Sequence, residues 1–151
     1  MGRLLTIYEV EASIDVSAGG ESAETWALLG EGFDNLSESL NEVVQQYFFL
    51  SNKGFATNHT TGMAPAFTLT GRRVIGDPAQ DYIFAQKYSL GEGRETKLKI
   101  AKKGKDDKTE TLTCPVTICN IQEISGASTD NSAISIELRL NGKPEVTTAA
   151  V

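Results

Sequence analysis

The 151 residues suit one domain with a core of its own, and a makeup of 40% hydrophobic and 23% charged residues is ordinary for a globular chain. No apolar run approaches the ~20 residues of a membrane-spanning helix, and the opening Met1-Gly2-Arg3-Leu4-Leu5-Thr6 lacks the apolar stretch of a secretory signal. Twenty Asp and Glu against fourteen Lys and Arg leave a net charge of -6, which argues against gripping phosphate backbones, because that relies on Lys and Arg displacing counterions.

Alternation dominates the chain. Tyr8, Val10, Ala12, Ile14 and Val16 alternate with Glu9, Glu11, Ser13 and Asp15, the mark of a half-buried strand, and Gly19-Gly20 ends it. Residues 24–33, with Trp26, Leu28 and Gly30, read as a second strand. Over 36–50 two patterns compete. Leu36, Leu40, Val43, Val44 and Tyr47 recur at helical spacing, yet 43–50 is rich in β-branched and aromatic residues. The reading adopted is a turn at 34–41 followed by a strand. Residues 51–65 form a long polar stretch that reads as a loop, and a loop of this length is usually functional or flexible.

Phe67, Leu69 and Gly71 alternate with Thr68, Thr70 and Arg72 in a further strand. The next element is a helix, placed at about 77–89. Asp77 caps it, Pro78 occupies the first helical position, and Gln80, three residues after the cap, completes a capping box. Asp81 adds first-turn negative charge, favoured by the helix dipole. Ala79, Ile83 and Leu90 share one face, and Gly91 supplies the stop. Leu98 and Ile100 then alternate with lysines, 102–108 is a charged hairpin tip, and Leu112, Cys114, Val116 and Ile118 alternate with threonines and Pro115. After a turn at 125–131, Ile134, Ile136, Leu138 and Leu140 alternate with Ser135, Glu137, Arg139 and Asn141, the cleanest strand of all. Two-faced strands of this kind build antiparallel sandwiches and barrels. The expected fold is mainly β, a sandwich or barrel-like single domain over 1–151 with one flanking helix.

Nothing in the pattern supports catalysis. His59 is the single histidine and has no nucleophile paired with it. Cys114 and Cys119 are five apart, so on a strand they face opposite sides, and with one histidine they do not make a four-ligand zinc site. Gly91-Glu92-Gly93-Arg94 lacks the Lys-Ser/Thr ending of a phosphate loop and follows a helix instead of preceding one. Asp77 and Asp81 are accounted for by capping and first-turn charge, and Arg72-Arg73 by pairing with carboxylates. No enzyme, cofactor or metal site is expected.

Several stretches in order carry a family resemblance: Trp26-Ala-Leu-Leu-Gly-Glu-Gly-Phe33, Asn41-Glu42-Val43 leading to Tyr47-Phe48-Phe49, Phe67-Thr-Leu-Thr-Gly-Arg-Arg73, Gly76-Asp-Pro-Ala-Gln-Asp-Tyr-Ile83, Gly91-Glu-Gly-Arg94 and Asn141-Gly-Lys-Pro144. Together they resemble the tail tube (major tail) proteins of long-tailed phages and prophages of Gram-positive bacteria, over about 24–148. The resemblance implies a structural subunit that stacks in rings, typically hexameric, with one sheet from each subunit joining a continuous barrel around the bore. It further implies a virion tail assembled in the host cytoplasm, with tape-measure, tail terminator and baseplate or tip proteins as partners. Genome DNA passes through on its way into the host without specific binding. The inner tube of a contractile tail or of a phage-tail-like bacteriocin is the alternative within this class, and a monomeric β-sandwich binding module the alternative outside it.

On this reading the 51–65 loop, with Asn52, Phe55, His59 and Met63, is the joint between subunits, disordered before assembly. The tail 145–151, with Glu145, Val146 and Val151, adds contacts. The bore wall is expected to be polar and net negative. Glu9, Glu11 and Asp15 share one candidate lumen face, and Ser135, Glu137 and Arg139 another.

Overall fold

A computed structural model describes residues 2–17 and 25–150. The strands are β1 (Glu11–Asp15), β2 (Trp26–Leu28), β3 (Phe33–Ser39), β4 (Val43–Tyr47), β5 (Thr57–Gly62), β6 (Ala66–Arg72), β7 (Glu95–Lys103), β8 (Lys108–Gln122), β9 (Ala133–Leu140) and β10 (Glu145–Ala150), with one helix, α1 (Pro78–Ala85). Eight strands form one antiparallel sheet in the order β2-β1-β7-β8-β9-β6-β3, with β10 also paired to β8. β4 and β5 pair only with each other.

Alternation sorts the sheet into two faces. Ile14, Leu98, Val116, Ile118, Ile136, Leu138 and Leu69 are buried on one face and form the core. Residues near β1 and β2 (Val10, Leu29) line the same cavity as Phe33, Leu36 and Leu69 of β3 and β6, so the two ends of the sheet curl toward each other. α1 packs Ala79, Ile83 and Phe84 into this core. The mainly-β architecture with one helix and the strands around Leu69, Leu98, Val116 and Ile136 are as the alternation predicts.

Several elements differ. Ile7–Glu9 form a 3-10 turn, so the first strand begins at Glu11. The second strand stops at Leu28, because Gly32 (φ 83°) turns the chain; Glu24, Gly19 and Gly20 lie outside the described residues. The expected turn at 34–41 is strand β3 up to Ser39, paired with β6 in the register Leu36↔Leu69, and the chain turns at Asn41 (φ 47°). The helical spacing of Leu36, Leu40 and Val43 was two strands read as one element. Cys114 and Cys119 are both free thiols.

The helix is shorter than 77–89. Gln86 already leaves helical geometry (φ -90°, ψ 6°), and the Arg94 guanidinium takes the carbonyls of Lys87 (2.6 Å) and Ser89 (3.0 Å), bending the chain away. Leu90 therefore stands in water, not on the buried face. Asp77 does cap: its carboxylate accepts from the Gln80 amide at 3.1 Å. The box does not close, because the Gln80 side chain turns inward to the sheet. Replacing Asp77 with Ala removes the cap at a cost of ~1 kcal/mol, a melting-point drop of about 2–4 °C for a chain of this size. An unchanged thermal melt would contradict the role of the cap.

Candidate functional site

No group of three or more His, Cys, Asp or Glu among the described residues is placed to hold a metal ion. His59 stands exposed on β5 opposite Gln45 of β4. What stands out instead is apolar surface that the chain does not cover.

The largest share is on a two-stranded arm, residues 40–64. The expected polar loop at 51–65 is half of this hairpin: a 3-10 turn at Leu50–Asn52, then β5 paired along β4. Its base is tied by the Ala64 amide to the Leu40 carbonyl (2.9 Å) and by Asn41 Nδ2 to the Ala64 carbonyl (2.9 Å). Near the tip, Asn52 Nδ2 donates to Thr57 Oγ1 (2.6 Å). At ~3.3 Å per residue the arm reaches roughly 30 Å. Both faces are in water, so Thr57, Asn58, Thr60 and Thr61 need no apolar alternation, and the usual sign of a strand is missing. Val43, Val44, Tyr47, Phe48, Phe49, Leu50, Phe55 and Met63 are nevertheless 45–98% exposed, and Tyr47 stacks on Phe49 at 5.5 Å. Large apolar side chains left in water on one arm are the kind of surface that partner contacts cover. The structure brings Asn52, Phe55, His59 and Met63 together on this one arm. The β-branched and aromatic residues of 43–50 ahead of Lys53-Gly54 are the available signal for a hairpin.

The C-terminal segment is not a free tail. Glu145–Ala150 is strand β10, paired with the first half of β8 in the register Val146↔Leu112. Glu145 and Val146 thus sit on an edge strand of the sheet; Val151 lies outside the described residues.

The polar face of the sheet carries hydroxyls. Thr68 and Thr70 of β6 stand beside Ser37 and Asn35 of β3 on one side and Glu137 and Ser135 of β9 on the other. Arg139 of β9 stands beside Thr117 of β8. Glu137 is ion-paired with Arg139 and accepts from Asn120 Nδ2 at 3.0 Å. Glu9, Glu11 and Asp15 do not form the carboxylate row that alternation suggests. Glu9 belongs to the 3-10 turn, where the Thr6 amide and the Arg3 guanidinium bind it and hold its pKa below the usual range. Asp15 is buried. Burial pushes its pKa up, but bonds from the Ser17 hydroxyl and amide and from the Thr25 amide outweigh that, and the net shift is downward. It closes a turn; only Glu11 of the three is exposed on the strand.

Compared by sequence, the chain matches no protein-family model and no curated protein. Solved structures do match its fold. The tail of an empty gene transfer agent particle, refined with C6 symmetry, aligns at a TM-score of 0.71 and 12% identity, over 95% of this chain and 99% of that one. The SPP1 tail tube aligns at 0.67 and 15% identity, over 98% and 80%. The tube-terminating cap of the anti-feeding prophage aligns at 0.59 and 12% identity, over 99% and 94%. The fold is therefore the one these tail and tube proteins share.

Proposed function

We propose that the chain is the structural subunit of a tail tube, of the kind found in long-tailed phages and prophages of Gram-positive bacteria. Copies close into rings, typically of six, and the rings stack around a bore through which genome DNA passes into the host. The observation that carries this is the arm: about 30 Å of hydrogen-bonded hairpin whose apolar side chains are uncovered, on a fold shared with a C6-symmetric tail. The subunit is a building block and performs no catalysis. Its other partners are a tape-measure protein in the bore and terminator and baseplate or tip proteins at the ends, in a tail assembled in the host cytoplasm.

Magnitudes set how assembly proceeds. Fully burying one Phe or Leu gains ~1.5–3 kcal/mol, while bringing two copies together costs ~4–15 kcal/mol. One anchor per joint is too little. Several arm residues must be covered at once, so dilute protein stays monomeric and tubes grow when it is concentrated or given a template. Light scattering against concentration tests this: growth to large particles above a threshold is expected, and a monomer at all concentrations would favour a binding module instead. The inner tube of a contractile tail or of a phage-tail-like bacteriocin is the second reading, which requires a sheath around the tube.

The hydroxyl-rich face of β3, β6 and β9 suits a bore wall. Charge on it is sparse rather than massed: Glu137 pairs with Arg139, while the exposed Arg72 donates to the Asn131 carbonyl at 3.0 Å and not to a carboxylate as its sequence suggests, so low adhesion comes from few charges more than from a repulsive field. Glu137→Lys breaks the pair with Arg139 and adds a cation in every copy. Tubes should still assemble, while DNA ejection slows, most at low salt. Wild-type ejection rates at every ionic strength would show that this face does not meet the DNA.

A further inference from the structure

Between β9 and β10 the chain runs through Asn141-Gly142-Lys143-Pro144. This link redirects it from the second half of β8, which β9 pairs, to the first half, which β10 pairs. Asn141 pins the turn. Its backbone amide donates to the Pro115 carbonyl at 2.8 Å, and its side-chain Nδ2 donates to Thr117 Oγ1 at 2.8 Å.

Asn followed by Gly is also the pair in which a side-chain amide and the next backbone nitrogen react most readily, because glycine has no Cβ to shield that nitrogen. Here the fold leaves the nitrogen unengaged. The Gly142 amide donates to no acceptor among the described residues. Its φ is 96°, and no atom lies within 4 Å of where a Cβ would stand, so there is room for a ring. Asn141 and Gly142 are both exposed, which gives water access to the amide carbon. A glycine paired in a strand ladder would have neither the free nitrogen nor the space.

We propose that Asn141-Gly142 is a self-modification site that converts slowly to an aspartyl or isoaspartyl link, and that the Thr117 hydroxyl is its brake. This goes beyond the tube reading and does not depend on it. The Gly142 nitrogen gives its proton to water and bonds to Asn141 Cγ. The bond from Cγ to Nδ2 breaks, and the amide group takes a proton from water and leaves as ammonia. The succinimide ring so formed is opened by one water at either carbonyl. Nothing is oxidised or reduced. Nδ2 must let go of Thr117 for this to happen, so the hydrogen bond holds the reactant back, and a neutral bond of this kind slows the step roughly two- to tenfold. Both products lose the donor, since a carboxylate only accepts, and the chain becomes one unit more negative than -6. In the isoaspartyl form the side-chain methylene enters the backbone and lengthens the link into β10. That strand is held by β8 alone, from Glu145↔Thr113 onward, so the loosening falls on it first.

The test follows the folded chain in mildly alkaline buffer by mass spectrometry of the peptide that carries Asn141, with isoaspartate methyltransferase labelling the isoaspartyl product. The expected result is a steady gain of one mass unit with release of ammonia, absent from Asn141→Gln over the same period. Thr117→Val, which keeps the shape and removes the hydroxyl, should convert roughly two- to tenfold faster. The same chain unfolded in urea, where the brake is gone, gives an independent reference and should also outpace the native one. A native chain that stays unmodified while the unfolded chain converts completely would overturn the site. Conversion of Thr117→Val at the parent rate would overturn the brake. Hydrogen exchange on separated products reads the consequence: amides of residues 145–150 should exchange faster in the isoaspartyl form, and unchanged exchange would overturn the loosening of β10.

Discussion

Replacing residues 43–63 by a short Asn-Gly turn should leave a folded monomer that no longer forms tubes at any attainable concentration. Leu40, Asn41 and Ala64 already hold the base of the arm closed, and Asn-Gly is the turn that joins adjacent antiparallel strands with least strain. Because β4 and β5 pair only with each other and every residue of β4 is exposed, the core loses nothing. The melt should stay within about 2 °C of the parent, as expected for changes away from buried structure. The effect on assembly is large for the opposite reason. Phe48, Phe49, Leu50 and Phe55 together offer roughly 6–12 kcal/mol if fully covered, about the size of the association cost they must offset. Light scattering and a thermal melt on the same sample check both halves. A variant that still grows would place the joint elsewhere; a variant that unfolds would mean the arm supports the domain.

Gln80→Ala should be the most damaging substitution of a polar side chain in the monomer. Gln80 is fully buried at the start of α1. Its Nε2 donates to the carbonyls of Glu31 (2.9 Å) and Arg72 (3.1 Å), and its Oε1 accepts from the Val74 amide (2.8 Å) and Arg73 (3.3 Å). One side chain thus stitches the helix, the turn before β3 and the end of β6. Truncation strands three backbone groups, each costing ~1–3 kcal/mol when left unpaired, and opens a cavity. Partial relaxation tempers the total, so a loss of about 3–5 kcal/mol is expected, a melting-point drop on the order of 10 °C. The neighbourhood leaves little room to adapt: a Cβ on Gly71 would lie 2.0 Å from the Gly32 carbonyl oxygen. A drop no larger than that of Asp77→Ala would refute the stitching role.

The sheet core was legible because alternation is a direct record of one buried face. Leu69, Leu98, Val116 and Ile136 fell on strands for that reason. The cap at Asp77 was legible because a carboxylate three residues before an amide donor is a local device. The arm was not, since a hairpin wet on both faces leaves no periodicity, and its pairing is carried by backbone alone. The helix end was misplaced because Arg94, distant in sequence from the cap, decides where the chain leaves α1. Glu9 and Asp15 were grouped by period, but their bonds to Thr6 and Arg3 and to Ser17 and Thr25 are tertiary and turn features that the period does not encode. The ion pairs of Glu123 with Arg73 and Lys87 join segments that follow β8, β6 and α1, and no short motif marks them.

Electron microscopy of the concentrated, purified chain bears most directly on the central claim. The expected images are straight hollow tubes of uniform width, whose averaged end views show one rotational symmetry and whose side views show a single axial repeat. Copies of the arm-deleted chain treated alike should give a clean background. Single globular particles from the parent chain at concentrations where related assembly reactions are complete, or aggregates without axial repeat, would contradict the account.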